Sequence, residues 1–286
     1  MTDTKEPKEH KPSKRFHRAV ETFGLSPTRW WNRKQLNARK TWKIPEHLGS
    51  LWNDLALVTS REDDMQWLFR VRVESLLLGQ LADKISKEGE ALCSPTPANC
   101  ESLHWSFQKR IMTAKSKGAG SANIIDYVLW YGHCWELETN FIVMKPKAGQ
   151  PKDWALLLNM ARIHSARKFA DPDADAAIYG IITDGLEWIF IHISNSSRYT
   201  VKIFDWSDHR DQIIAQVQDI IDKAVNLYKK RVVPRSSLRI PTIQQISGWR
   251  IEEIPATSNY FADSNDRASD KSSEDAFDIF HQPLSW

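Results

Sequence analysis

Residues 141–144, Phe-Ile-Val-Met, form an apolar run with no polar interruption. A strand wetted on one face alternates polar and apolar residues, so an unbroken run belongs to a strand covered on both faces. Helices must supply that cover. The segment that follows does so: over 153–168, Leu156, Leu157, Met160, Ile163 and His164 recur at helical spacing. A second apolar run at 177–183 then reads as another buried strand.

The flanking segments extend this pattern. A long helix is expected from a capping box at Ser60 and Asp63 to about Ile85, with Trp67, Leu68, Val71, Leu76, Leu77, Leu78 and Leu81 as its apolar positions. Glu74 lies inside that apolar stretch, where a carboxylate either emerges at a helix edge or points into a polar site. Residues 88–122 read as long, partly disordered connections around a short amphipathic piece at 104–112. Strands are expected at 127–130 and 140–144. Asp184-Gly185 marks a tight turn that makes 177–183 and 188–193 a hairpin, and 199–204 reads as one more strand. Ser207 is placed to cap a last helix with Ile213, Ile214, Val217, Ile220, Ile221, Ala224, Val225 and Tyr228 on its apolar face, ending in Lys229-Lys230-Arg231 as the helix dipole favours. Helices interleaved with strands in this order predict an α/β fold with a mixed central sheet flanked by helices.

Charge divides the chain into three parts. Residues 1–44 hold 12 Lys/Arg against 4 Asp/Glu, and 241–286 hold 3 against 8, while the middle is balanced. The expected organisation is a basic flexible arm over 1–24, a folded domain over 25–240 and an acidic, largely disordered tail over 241–286. Trp30, Trp31, Trp42 and Trp52 stand among Arg29, Arg33, Lys34, Arg39, Lys40 and Lys43. Such a mixture can stack on bases and hold phosphates; the plainer reading is that the indoles pin an irregular segment to the domain, with the cations over them or in water. No apolar run reaches the ~20 residues of a membrane helix, and the polar N-terminus is unlike a secretory leader. Three cysteines, Cys93, Cys100 and Cys134, lack metal-ligand spacing. Free thiols fit best, and with them an intracellular setting, nucleus or cytoplasm, with no membrane partner.

The residues richest in chemistry lie between 126 and 147: Asp126-Tyr-Val-Leu-Trp-Tyr-Gly, then Glu138-Thr-Asn-Phe-Ile-Val-Met-Lys-Pro-Lys147. With Glu74 on the preceding helix, His164-Ser-Ala-Arg-Lys168 on the following one and Tyr179-Gly-Ile-Ile-Thr-Asp-Gly-Leu-Glu-Trp188, this order of elements resembles the core of the PD-(D/E)XK nuclease superfamily. More narrowly, it resembles a fungal group of nuclease-like proteins within it. The resemblance runs over about 60–228 and implies a restriction-endonuclease-like core. It also implies that Asp126 is a metal ligand, Lys147 the motif lysine and Glu74 the helix acid beside a catalytic Mg²⁺, which activates water and offsets charge on the scissile phosphate.

Position 145 departs from the pattern. Aligning Lys147 with the motif lysine puts Lys145 where the second acid belongs. Residues 145 and 147 share a strand face. Two ammonium groups ~4 Å apart repel by ~1 kcal/mol in water, and by several times that where the effective dielectric is lower. They also repel a cation. Glu136 or Glu138 is a possible replacement acid, although both precede the strand; Asp153 reads as a helix cap. The expectation is a catalytically degenerate nuclease-like protein, with Lys145 and Lys147, helped by Arg162 or Arg167, holding phosphates of DNA or RNA without metal. The alternatives are an active Mg²⁺-dependent nuclease with a displaced acid, and a tryptophan-rich module that meets a protein partner. His133-Cys134, His164 and His192 are read as turn or packing residues.

Overall fold

The computed structural model describes residues 12–28, 48–52, 54, 65–88, 103–113, 124–132, 137–146, 152–173, 175–232 and 249–253. Among the described residues its longer helices are α1 (Lys14–Thr22), α2 (Met65–Glu88), α3 (Lys152–Ala170) and α4 (Trp206–Val232), and residues 48–52 are helical as well. Its strands are β1 (Ser26–Pro27), β2 (His104–Thr113), β3 (Ile124–Trp130), β4 (Thr139–Met144), β5 (Ile178–Thr183), β6 (Glu187–Ile193), β7 (Arg198–Asp205) and β8 (Trp249–Glu253).

The strands make one mixed sheet of eight in the order β1-β7-β6-β5-β4-β3-β2-β8. β4 and β5 are parallel, with Phe141 opposite Tyr179, and α3 connects them. The remaining long strands pair antiparallel with their neighbours, and the short β1 runs parallel to β7. Every residue of β4 and β5 is buried, as strands covered on both faces require.

Two apolar layers cover the sheet. α2 and α4 pack on one face with Leu76, Leu77, Val217, Ile220 and Ile221 against Leu129, Phe141, Val143 and Phe190. α3 and α1 pack on the other with Leu156, Leu157, Met160 and Phe16 against Val128, Ile142, Met144 and Ile191. Gly180 on β5 lets α3 come close: a Cβ there would collide with Met160 Sδ and lie 2.8 Å from Leu156 Cδ1. At the β5–β6 turn, Gly185 has φ +87°, and the Asp184 carboxylate accepts the Leu186 and Glu187 amides at 3.0 and 2.8 Å.

The structure departs from the expected boundaries at both ends. Within the expected flexible arm, Ser13 caps α1 through a 3.2 Å bond from the Phe16 amide, and Phe16 and Ala19 are buried. Two apolar residues three apart gave this segment a docking face. Within the expected disordered tail, Trp249–Glu253 joins the sheet as β8, paired with β2. The expected connection over 88–122 contains β2, a strand of 10 residues. Leu103, just before it, and its Trp105 and Phe107 alternate with polar residues, a period-two pattern that the reading as a short amphipathic piece did not resolve. The last helix starts at Trp206, one residue before the expected Ser207 cap, and is kinked at His209. Asp153 lies in the first turn of α3, and not at its cap. The Ser60–Asp63 capping box, Trp30, Trp31, Trp42, His133-Cys134 and Glu136 lie outside the described residues. Among the described residues no helix is long and apolar enough to cross a membrane.

Candidate functional site

β3 and β4 are antiparallel neighbours, so the first residues of β3 and the last of β4 share one end of the sheet. There the Lys145 amide donates to Asp126 Oδ2 at 2.7 Å. A backbone N–H bonded to a carboxylate is a charge-assisted bond, stronger than a neutral one. It closes the end of β4 onto the acid of β3. Both residues are half-buried.

The adjacent residue brings in the helix acid. Tyr127 is buried beneath α2, and its hydroxyl donates to Glu74 Oε1 at 2.8 Å. Phe107 of β2 meets the Tyr127 ring edge-on at 5.7 Å. Glu74 is thus bonded to Tyr127, the chain neighbour of Asp126, while Asp126 is bonded to Lys145 beyond the end of β4. Lys147 lies outside the described residues.

The strand is irregular at the acid. Alternation should put residues 125 and 127 on one face, yet Ile125 packs in the α3 layer and Tyr127 in the α2 layer. The pairs Phe107–Tyr127 and Lys109–Ile125 bracket Gln108 opposite Asp126, and Gln108 has φ +50°. Left-handed backbone at a residue other than glycine costs ~1–3 kcal/mol and collects at binding and catalytic sites. Tyr127 and Gln108 escaped the sequence reading, where one counted as a strand residue and the other as part of a connection.

A bound Mg²⁺ needs near-octahedral oxygen donors. Among the described residues no three His, Cys, Asp or Glu side chains are placed to hold a metal. One oxygen of Asp126 accepts a main-chain amide and one of Glu74 accepts a phenol. The residue that meets Asp126 does so through its main-chain amide, and its side chain is a lysine, which cannot ligate a cation while protonated. The described donors do not fit a resident Mg²⁺.

The two arginines expected to help with phosphate are both buried. Arg167 is 6% exposed and donates to the carbonyls of Thr139 and Asp175 and to the Tyr131 hydroxyl, which ties α3 to the β3–β4 connection. Arg162 is 5% exposed, and burial lowers its pKa to about 10. His164 is a packing residue as expected: Nδ1–H donates to the Ala176 carbonyl at 2.9 Å, the Ser197 hydroxyl lies 3.0 Å from Nε2, and burial chiefly lowers its pKa. His192 stacks on Tyr179 with ring centroids 4.3 Å apart; burial, then Lys223, lower its pKa to about 4.

A second cationic group was not anticipated. Arg72 of α2 and Arg210 of α4 both lean on the Trp206 ring, at 4.9 and 5.9 Å from its centroid. In comparisons with known proteins, no family model, curated protein or solved structure matches the chain.

Proposed function

We propose that this chain is a PD-(D/E)XK-like domain that has lost metal-dependent cleavage and binds nucleic acid through cations at the β3–β4 end of its sheet. The observation that carries this reading is the 2.7 Å bond from the Lys145 amide to Asp126. The bond is made by the main chain of a residue whose side chain is an ammonium, at the position where the superfamily pattern has a second carboxylate. With Asp126 tied to that amide and Glu74 to Tyr127, the acids act as hydrogen-bond acceptors that hold α2, β3 and β4 together. Phosphate is attracted by the lysines, and its condensed counterions are released on contact.

Two assays test the reading. Incubation of plasmid and single-stranded DNA or RNA with the protein in Mg²⁺ or Mn²⁺ is expected to leave the nucleic acid uncut. Cleavage abolished by Asp126→Ala would establish an active enzyme instead. A Lys145→Ala/Lys147→Ala variant is expected to bind a labelled oligonucleotide at least tenfold more weakly than the parent at low salt. Absent or salt-independent binding by the parent would favour a protein partner.

A further inference from the structure

At the β5–β6 turn, α2 and α4 bring two arginines onto a block of indoles. Trp206, the first residue of α4, stacks with Trp188 at 5.8 Å and meets Trp52 edge-on at 5.6 Å. Arg72 lies over Trp206, and its Nη1 donates to the Gly185 carbonyl at 3.0 Å. Arg210 lies between Trp206 and Trp52, 5.2 Å from the Trp52 ring centroid. The Trp206 amide donates to the Leu186 carbonyl at 2.7 Å, and Trp52 Nε1 donates to Ser75 Oγ at 2.7 Å, so turn and helices are tied together.

The charge of this group is one-sided. Among the described residues neither guanidinium pairs with a carboxylate, and the buried Arg210 Nε has no hydrogen-bond partner. Burial, then Arg210, lower the pKa of Arg72. Arg210 also stands near the N-terminus of α4, where the helix dipole is unfavourable to a cation. The cation–π contacts hold the guanidiniums on the indoles without neutralising their charge. Planar forks already fixed against rings lose little entropy on meeting an oxyanion and match its geometry.

We infer that Arg72 and Arg210, held by Trp206 and Trp52, form a phosphate clamp that grips the backbone of a nucleic acid strand. The source of the phosphate rests on the reading under Proposed function; the clamp itself rests on the unbalanced guanidinium pair. The indoles serve as supports for the arginines and not as base platforms, because Trp52 and Trp188 are buried.

The test compares the full chain with Arg72→Gln/Arg210→Gln and with Arg210→Met, which keeps an apolar stem against the indoles if the double variant does not fold. Anisotropy titrations of a labelled oligonucleotide are made at several salt concentrations, alongside thermal melts in inorganic pyrophosphate. The expected result is at least tenfold weaker oligonucleotide binding by the double variant. Its log–log salt slope should be shallower by about two, and that of Arg210→Met by about one. Oligonucleotide binding unchanged in both variants overturns the clamp while leaving the lysine site standing. If the parent binds no oligonucleotide but pyrophosphate raises its Tm and not that of the variants, the clamp is upheld for a small phosphorylated ligand and the nucleic-acid reading fails. If neither ligand acts on the parent, the clamp is overturned.

Discussion

Asp126 is the residue on which the two views of this protein divide. In a metal-dependent nuclease its carboxylate would be a ligand; here it accepts the Lys145 amide. Asp126→Ala is therefore expected to destabilise the fold by roughly 1–3 kcal/mol, the cost of leaving an amide unpaired, as read from urea unfolding. It should leave nucleic-acid binding unchanged or tighter, since a negative charge is removed beside the proposed phosphate site. Loss of binding on that substitution, with the protein still folded, would speak for a metal-linked role. Arg167 has the opposite character. Its bonds to Thr139, Tyr131 and Asp175 make it a structural tie, so Arg167→Met should cost ~2–5 kcal/mol in the same measurement through acceptors left buried and unpaired. The sequence made both residues visible but not their roles. A carboxylate looks alike whether it meets a metal or an amide, and an arginine on a helix does not reveal which side of that helix is covered.

At the level of elements, the buried strands and the half-exposed β7 were legible, while β2 and β8 were not. β4 and β5 announce themselves by unbroken apolar runs. β2 alternates and sits among connections, and β8 gains its place only from β2, a partner far away in the chain. Such pairing is non-local and leaves little trace in a short window. α1 was hidden because its basic residues dominate the composition while only Phe16 and Ala19 dock fully. Packing between elements yields two predictions. Gly180→Ala should lower stability by ~1–3 kcal/mol in urea unfolding, because the methyl has no space beneath α3. His192 should set part of the acid sensitivity. Its pKa is lowered from the ordinary 6.5 to about 4 in the fold, so the unfolded chain takes up a proton that the folded chain refuses. Stability from this group is present above pH ~6.5 and is lost as the pH falls towards ~4, with a slope approaching 1.4 kcal/mol per pH unit. Replacing His192 by Phe should flatten that window, as followed by melts across pH; an unaltered slope would contradict the assignment.

For the whole molecule, the α/β class and the mixed sheet between helices followed from the succession of apolar patterns, because covering a two-faced sheet admits few solutions. The candidate site was legible in part: the sequence singled out Glu74, Asp126 and Lys145, and the fold brings Glu74 to Tyr127 and Asp126 to Lys145. What the sequence could not display is the irregular backbone opposite Asp126 or the guanidiniums gathered on Trp206, since both depend on segments remote in the chain. The proposed domain attracts phosphate through its lysines and arginines and does without a metal. The most direct measurement is an anisotropy titration of a labelled oligonucleotide over a range of salt, run in parallel in EDTA and in Mg²⁺. Binding that weakens steeply with salt, is unaffected by EDTA and leaves the strand intact in Mg²⁺ is the predicted result. Binding or cleavage that requires Mg²⁺ would contradict it.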